Sequence, residues 1–250
     1  MSRVIAVANQ KGGVAKTTTV HSLGSALGSV GKRVLLVDLD PQACLTYSLG
    51  IDPERLDLSL HDVMLRRAGA DQIALTVGDL TVLPSTIDLA GAEVHLLTKT
   101  GREYALRRAI EPLLSCYDVV LIDCPPSLGI LTINGLTAAR EVIVPLQCET
   151  LSHRGVGQLL ETIDDVRSYT NPELRVRGVV ATMFDSRTNL ARRVIADVES
   201  SYGLTVLQPP VPKSVKVAEA PETGRCVLEH APSSKGAEAY RALASTLEVA

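Results

Sequence analysis

Residues 9–18 read NQKGGVAKTT, and this is the stretch with the most chemistry in it. A bound phosphate needs converging backbone N–H groups, a helix N-terminus behind them and a fixed cation. Gly12 and Gly13 let the backbone approach closely, Lys16 supplies the cation, and the Thr17 hydroxyl can ligate Mg²⁺. Two further stretches, VLLVDLDPQ (34–42) and VVLIDCPPS (119–127), each end an apolar run on acidic residues: Asp38 and Asp40, then Asp123. Open α/β sheets bind their ligands at such strand ends. Asp123 fits a carboxylate that holds Mg²⁺ through water. Phosphoryl transfer asks a protein for positioned charge more than for covalent chemistry.

The elements that must position these groups can be read from periodicity. A short apolar run at 4–8 precedes the glycine turn, and Val20, Leu23, Leu27 and Val30 then recur at helical spacing. Gly31 ends that helix and a strand follows at 33–37, so the first unit is βαβ with parallel strands. The rhythm repeats, with strands expected at 80–83, 119–122, 141–145 and 176–182. Helices are expected near 58–67, 87–97, 103–115, 130–139, 153–169, 189–202 and 234–248. The fold class this predicts is α/β, a mostly parallel twisted sheet flanked by helices. With no repeat, low-complexity tract or linker-like break, residues 1–250 are expected to form one domain.

Composition sets bounds. Apolar residues make up 46% of the 250, aromatics only 3%, which suits an aliphatic sheet core. The net charge of −3 means that any nucleic-acid binding must come from a local basic patch. Five cysteines with no C-x-x-C pair, and no signal-peptide pattern, predict reduced thiols and a cytoplasmic protein. Cys124, beside Asp123, reads as a small buried thiol. His21, His61, His95, His153 and His230 lack ligand spacing, so no metal beyond Mg²⁺ is expected. The pair His153–Arg154 opens a helix with no assignable role.

The phosphate loop departs from G-x-x-x-x-G-K-[ST] at Gln10 and Ala15 and carries a second lysine, Lys11, five residues before Lys16. Here it resembles the deviant Walker A ATPases, a family that includes ParA, MinD and the nitrogenase iron protein. Further blocks (DLDPQ, LIDCPPSLG, PLQCE, TMFDSRTNLARRV at 182–194, PPVPKSVKVAEAPETG at 209–224, SSKGAEAYRALA at 233–244) are similar to Soj-type ParA proteins over roughly residues 3 to 248. The resemblance implies ATP and Mg²⁺ as ligands and slow hydrolysis to ADP and phosphate. In it, Lys11 reaches across an ATP-bound homodimer, and Lys11, Gly12, Gly13, Val14, Ala15, Lys16, Thr17 and Thr18 cradle the phosphates. Asp40 positions the attacking water, while Thr17, Asp38 and Asp123 form the Mg²⁺ surroundings. Met183 and Pro212 lie in the segments that frame adenine. Arg187 and Lys216 match residues that meet nonspecific DNA; Lys213, Arg192 and Arg193 are neighbouring basic candidates whose other reading is an ordinary solvated surface. The implied partner is a ParB-like protein, and the implied place is the nucleoid.

Two expectations refine this. Glycine is usual at position 15; an alanine that continues into the helix is expected to need no positive φ. Only three residues precede the first strand, which predicts no winged-helix domain before it, and the segment AYRALASTLEVA lacks the basic face of a membrane-attaching helix. The rival reading is a MinD-like or cargo-positioning ATPase that acts on a protein complex.

Overall fold

Strands that are apolar on both faces must be covered on both faces, and that demand sets the architecture. The computed structural model describes residues 2–149 and 154–248. Its first half runs β1 (Arg3–Val7), α1 (Lys16–Ser29), β2 (Val34–Asp38), α2 (Cys44–Ser48), α3 (Leu60–Met64), α4 (Ala70–Ile73), β3 (Leu75–Val77), β4 (Leu80–Leu83), α5 (Leu89–Leu96), α6 (Ala105–Ile110) and β5 (Val119–Asp123). Then follow α7 (Ile130–Ala138), β6 (Glu141–Gln147), α8 (Arg154–Tyr169), β7 (Arg175–Thr182), α9 (Asn189–Tyr202), β8 (Val206–Leu207), α10 (Val215–Glu219), α11 (Val227–His230) and α12 (Lys235–Glu248). His153 lies outside the described residues.

The strands form one sheet in the order β3-β4-β2-β5-β1-β6-β7-β8, parallel throughout except for the β3–β4 pair. Alternation divides each strand between two cores. Val4 and Ala6 of β1, and Ala8 just after it, point to one side with Leu35, Val37, Val120 and Ile122, where α3 to α9 pack. Ile5 and Val7 point to the other with Leu36 and Leu121, under α1, α11 and α12. Close approach is required in two places. A Cβ on Gly24 of α1 would stand 2.8 Å from Leu36 Cδ2, and one on Gly135 of α7 would stand 2.8 Å from Cys124 Sγ. These glycines let the helices behind the phosphate loop and behind Asp123 lie close against the sheet.

Register then does the positioning. β2 pairs with β5 so that Asp38 faces Asp123, and β1 pairs with β5 so that Val7 faces Asp123. The phosphate loop and both acidic strand ends therefore meet at one edge, the carboxyl end of the central strands.

The α/β class and mostly parallel sheet are as expected, and the differences lie in short elements, among them the unexpected helices α2, α4, α10 and α11. The hairpin strand β3 was not expected; it turns at Gly78 (φ 56°) and Asp79, a two-residue turn signal inside an apolar stretch. The helix expected over 103–115 is α6 between two 3₁₀ turns, Arg102–Tyr104 and Glu111–Cys116, the second carrying Pro112, which has no N–H to continue an α-helix. The two-residue strand β8 is too short to show a period.

Candidate active site

The loop between β1 and α1 is pinned at both ends before any ligand arrives. Asn9 is buried; its Nδ2 donates to the Pro145 carbonyl at 2.7 Å, and its Oδ1 accepts the Lys11 N–H at 3.0 Å. At the far end, Thr182 Oγ1 donates to the Val14 carbonyl at 3.1 Å. Gly13 (φ 72°) and Ala15 (φ 65°, ψ 37°) are both left-handed, which gathers loop N–H groups around a concavity in the manner of an anion nest. This corrects the expectation for Ala15. The helix begins at Lys16, so Ala15 is its N-cap rather than its first residue, and the turn into the helix forces the left-handed region on a residue with a Cβ. Gly12, Gly13, Val14, Thr17 and Thr18 all line this loop and the first turn.

Lys16 is buried, and its Nζ donates to the Lys11 carbonyl at 3.3 Å. Burial lowers the pKa of its ammonium, and the Asp123 carboxylate opposes that shift. Lys11 is half-buried, with its Nζ on Gln147 Oε1 at 3.2 Å.

Three carboxylates lie opposite this loop. Asp38, fully buried, accepts the Thr46 N–H (2.8 Å) and hydroxyl (2.7 Å) on Oδ2 and the Asp40 N–H (3.3 Å) on Oδ1. Burial nonetheless raises its pKa to about 6. Asp40 anchors Oδ1 on the Gln42 N–H at 2.9 Å, which sets the direction of Oδ2. Asp123 accepts the Thr17 hydroxyl on Oδ2 at 2.6 Å, while its Oδ1 is buried with no hydrogen-bond partner. Burial first, and the Asp38 charge second, push the Asp123 carboxyl well above its usual range. Cys124 is buried, its thiol pushed up by the same desolvation, so it is inert.

An orphaned carboxylate oxygen beside a hydroxyl is a hard-oxygen pair with one ligand too few, and Mg²⁺ with its waters suits it. Among the described residues no group of three or more His, Cys, Asp or Glu could form an all-protein cage. That agrees with a cation held partly by substrate phosphates. The residues present fit Mg²⁺.

The remaining candidates gather at the β7–β8 end. Phe184 pairs with Pro212, the Phe184 N–H donates to the Val211 carbonyl (2.9 Å), and the Lys213 N–H donates to the Phe184 carbonyl (3.1 Å). Pro212 is thereby in the bridge itself, and Met183, left-handed at φ 50°, directly precedes its partner Phe184. Arg187, Lys213 and Lys216 are exposed on the same segments, as are Arg192 and Arg193 on α9. Arg187 grips Asp185 through Nε (2.9 Å) and Nη2 (2.8 Å), which holds that carboxyl at about 2. Lys216 meets Glu219 at 3.2 Å. No helix among the described residues is long and apolar enough to cross a membrane.

Sequence reading missed the supporting cast of Asn9, Thr46, Gln147 and Thr182. Asn9, Gln147 and Thr182 lie inside quoted blocks and Thr46 just past DLDPQ, but their partners become neighbours only through the strand order.

Comparison with known proteins agrees with this geometry. A family model described as an AAA domain matches residues 2–176. The sporulation initiation inhibitor protein Soj of Bacillus subtilis is 45% identical over 98% of this chain and 97% of its own length. The chromosome partitioning protein ParA of Caulobacter vibrioides is 44% identical, over 97% of this chain and 92% of its own. Among solved structures, cobyrinic acid a,c-diamide synthase from Mycobacterium smegmatis with bound ADP and magnesium is 55% identical, with a TM-score of 0.90 over 99% of this chain and 94% of that one.

Two outcomes follow for the nucleotide-free protein. Ala15→Gly removes a Cβ from a left-handed position and should stabilise the fold by about 1 kcal/mol in urea unfolding; a lowered midpoint would mean that the methyl packs for more than its strain costs. The folded-state pKa of Asp38, about 6, lies above the ordinary carboxylate value, so the folded state holds this proton more tightly than the unfolded chain does. That stabilisation is complete below the unfolded pKa and lost as pH rises through about 6, and Asp123 acts in the same sense. Between pH 7 and pH 5 the wild type should gain about 1 kcal/mol relative to Asp38→Asn; parallel pH profiles would rule this out.

Proposed function

The chain belongs to the Soj/ParA family of P-loop ATPases, and on that premise we propose an ATP-driven dimerising switch that binds DNA without sequence preference. It would act in chromosome or plasmid partitioning with a ParB-like partner that speeds hydrolysis. The observation that carries the reading is a two-lysine phosphate loop, Lys11 and Lys16, in a chain whose exposed Arg187, Lys213 and Lys216 lie on one pair of adjoining segments.

Each residue then has a task. The loop N–H groups from Gly12 to Thr18 and the Lys16 ammonium bind phosphate oxygens and offset their charge. Mg²⁺, when bound, adds positive charge at the phosphates, and Thr17 and Asp123 would hold it, with Asp38 behind them. Asp40, oriented by the Gln42 N–H, aligns a water with the γ-phosphorus and accepts its hydrogen bond at Oδ2. Hydrolysis then consumes that water and yields ADP and phosphate. Lys11 leaves Gln147 for the phosphates of a second copy, so closure of the dimer requires ATP. Met183 and Pro212 flank the base. Dimerisation doubles the basic edge, and each phosphate neutralised steepens the salt dependence of DNA binding.

The metabolic name of the 55% identical structure supports a second reading, in which the same cradle serves a synthase. Production of cobyrinic acid a,c-diamide from cobyrinic acid, ATP and a nitrogen donor would replace the partitioning reading.

Two experiments test the proposal. Random-sequence duplex DNA should be bound with ATP but not with ADP or without nucleotide, and more weakly at higher salt. Lys16→Ala should abolish this binding, and Arg187→Glu should weaken it at least about tenfold and flatten the salt slope by about one charge. ATP binding without DNA binding would favour the cargo-positioning reading. Asp40→Ala should elute as a dimer under saturating ATP, because closure is retained and turnover is not; a monomer would sink the dimer switch.

A further inference from the structure

The face of the molecule formed by α3, α5 and α6 carries a second concentration of positive charge, separate from Arg187 and Lys216. These helices lie in the connections among β2, β4 and β5, whereas Arg187 and Lys216 flank β8 at the other end of the sheet. A groove of about 940 Å³ between α3, α4 and α6 continues into a hollow of about 300 Å³ beside α5, the two sharing Arg66, Ala105 and Arg108 in their walls. Arg66, Arg67, Lys99, Arg102 and Arg108 line them, against Asp71 as the carboxylate among the lining residues. Arg102 has part of its charge answered by Glu103 at 3.0 Å. In a chain of net charge −3 such a surface is a local inversion of sign.

One of these cations occupies a position the local backbone would rather give to glycine. Helix α3 ends in a Schellman arrangement: the Arg67 N–H donates to the Asp62 carbonyl at 2.8 Å, and the Arg66 N–H to the Val63 carbonyl at 3.0 Å. The residue between, Arg66, is left-handed at φ 59°. Glycine is the usual occupant there, and arginine costs stability. Arg66 is exposed, so no packing explains its side chain.

The floor says which anion the surface suits. The half-buried Leu65, Ala105 and Leu113 line the hollows between the cations, with the buried Val63, Met64 and Leu96 beneath them. A nucleic-acid strand uses cations with aromatic stacking platforms. No Phe, Tyr or Trp is among the described residues lining either hollow, His95 is the single aromatic ring at the edge of the smaller one, and the nearby Tyr104 ring is covered by the Arg108 guanidinium at 5.8 Å. An apolar floor between basic walls complements an amphipathic segment that is apolar on one side and acidic on the other.

We propose that the α3–α5–α6 groove is a docking site for an acidic amphipathic segment of a partner protein, with Arg66 and Lys99 as principal charge contacts. This site lies apart from the Arg187–Lys216 edge, and its sign repels any basic activating segment, so its occupant is a different partner from the ParB-like one.

The test uses the full chain and a short labelled peptide with Glu and Leu at helical spacing, read by fluorescence anisotropy. A Glu-only peptide of equal charge and random duplex DNA serve as the other arms. The amphipathic peptide should bind more tightly than the Glu-only peptide and weaken with salt. The double variant Arg66→Glu with Lys99→Glu should lose at least about tenfold in affinity, and Asp71→Asn should gain. Arg66→Gly separates recognition from folding, since it should raise the unfolding temperature while weakening the peptide. Absence of peptide binding, or equal binding by the double variant, overturns the proposal. DNA binding that the double variant loses would overturn it too, by making the groove a nucleic-acid surface. Unchanged ATP-dependent DNA binding by that variant, with peptide binding lost, supports it.

Discussion

Two carboxylates face one another at the buried ends of neighbouring parallel strands, and the rest of the active edge is arranged around the cost of keeping them there. Asp38 and Asp123 are in register across β2 and β5, so their charges repel at close range in a medium that screens poorly. The chain resolves this unequally. Asp38 is given three internal donors, from Thr46 and Asp40, and becomes part of the scaffold that orients the DLDPQ turn. Asp123 is given one, the Thr17 hydroxyl, and is left with an unmet oxygen. Lys16, the compensating cation at hand, is itself penalised by burial. A site with two stressed anions and one stressed cation is completed by a ligand that brings both signs, which is what a magnesium nucleotide does.

That arrangement was largely legible in the sequence, for a definite reason. Glycine, lysine and threonine at fixed offsets after an apolar run, and aspartate at the end of two others, are local patterns that do not depend on how the strands are ordered. Contacts that cross the sheet were not legible. The grip of Asn9 on Pro145, of Lys11 on Gln147 and of Thr182 on Val14 requires β6 beside β1 and β7 beside β6. Ala15 shows the other limit. Its backbone is set by the need to turn a nest into a helix within one residue, and a propensity argument reads an alanine there as helical.

The local rules that this sequence breaks point to where it binds. Four non-glycine residues among those described have positive φ: Ala15, Ala43, Arg66 and Met183. Ala15 closes the phosphate loop, Ala43 follows the Asp40 turn, and Met183 follows the end of β7 near Pro212. Natural sequences tend to depart from local preference at functional positions, since packing alone gives no reason to keep such a cost. Arg66 is the odd one out, placed at the end of α3 in the wall of the basic groove, and its departure is matched by a sign inversion of the surrounding surface.

The two regions are nevertheless mechanically joined. Helix α7 follows the Asp123 loop, and Asn134 in its middle is fully buried. Its Oδ1 accepts the Leu106 N–H at 3.0 Å, and its Nδ2 donates to the carbonyls of Arg102 (2.9 Å) and Ile130 (2.8 Å). Arg102 and α6 are walls of the basic groove. A shift of α7 that accompanied engagement of Asp123 would have to break buried hydrogen bonds, which is costly, or carry the groove wall with it. In the second case, linkage makes the coupling reciprocal: whatever the groove prefers to hold with α7 in one position, the nucleotide state favours to the same degree. One buried amide would then be enough to let a protein partner on one face sense the phosphate chemistry at the sheet edge.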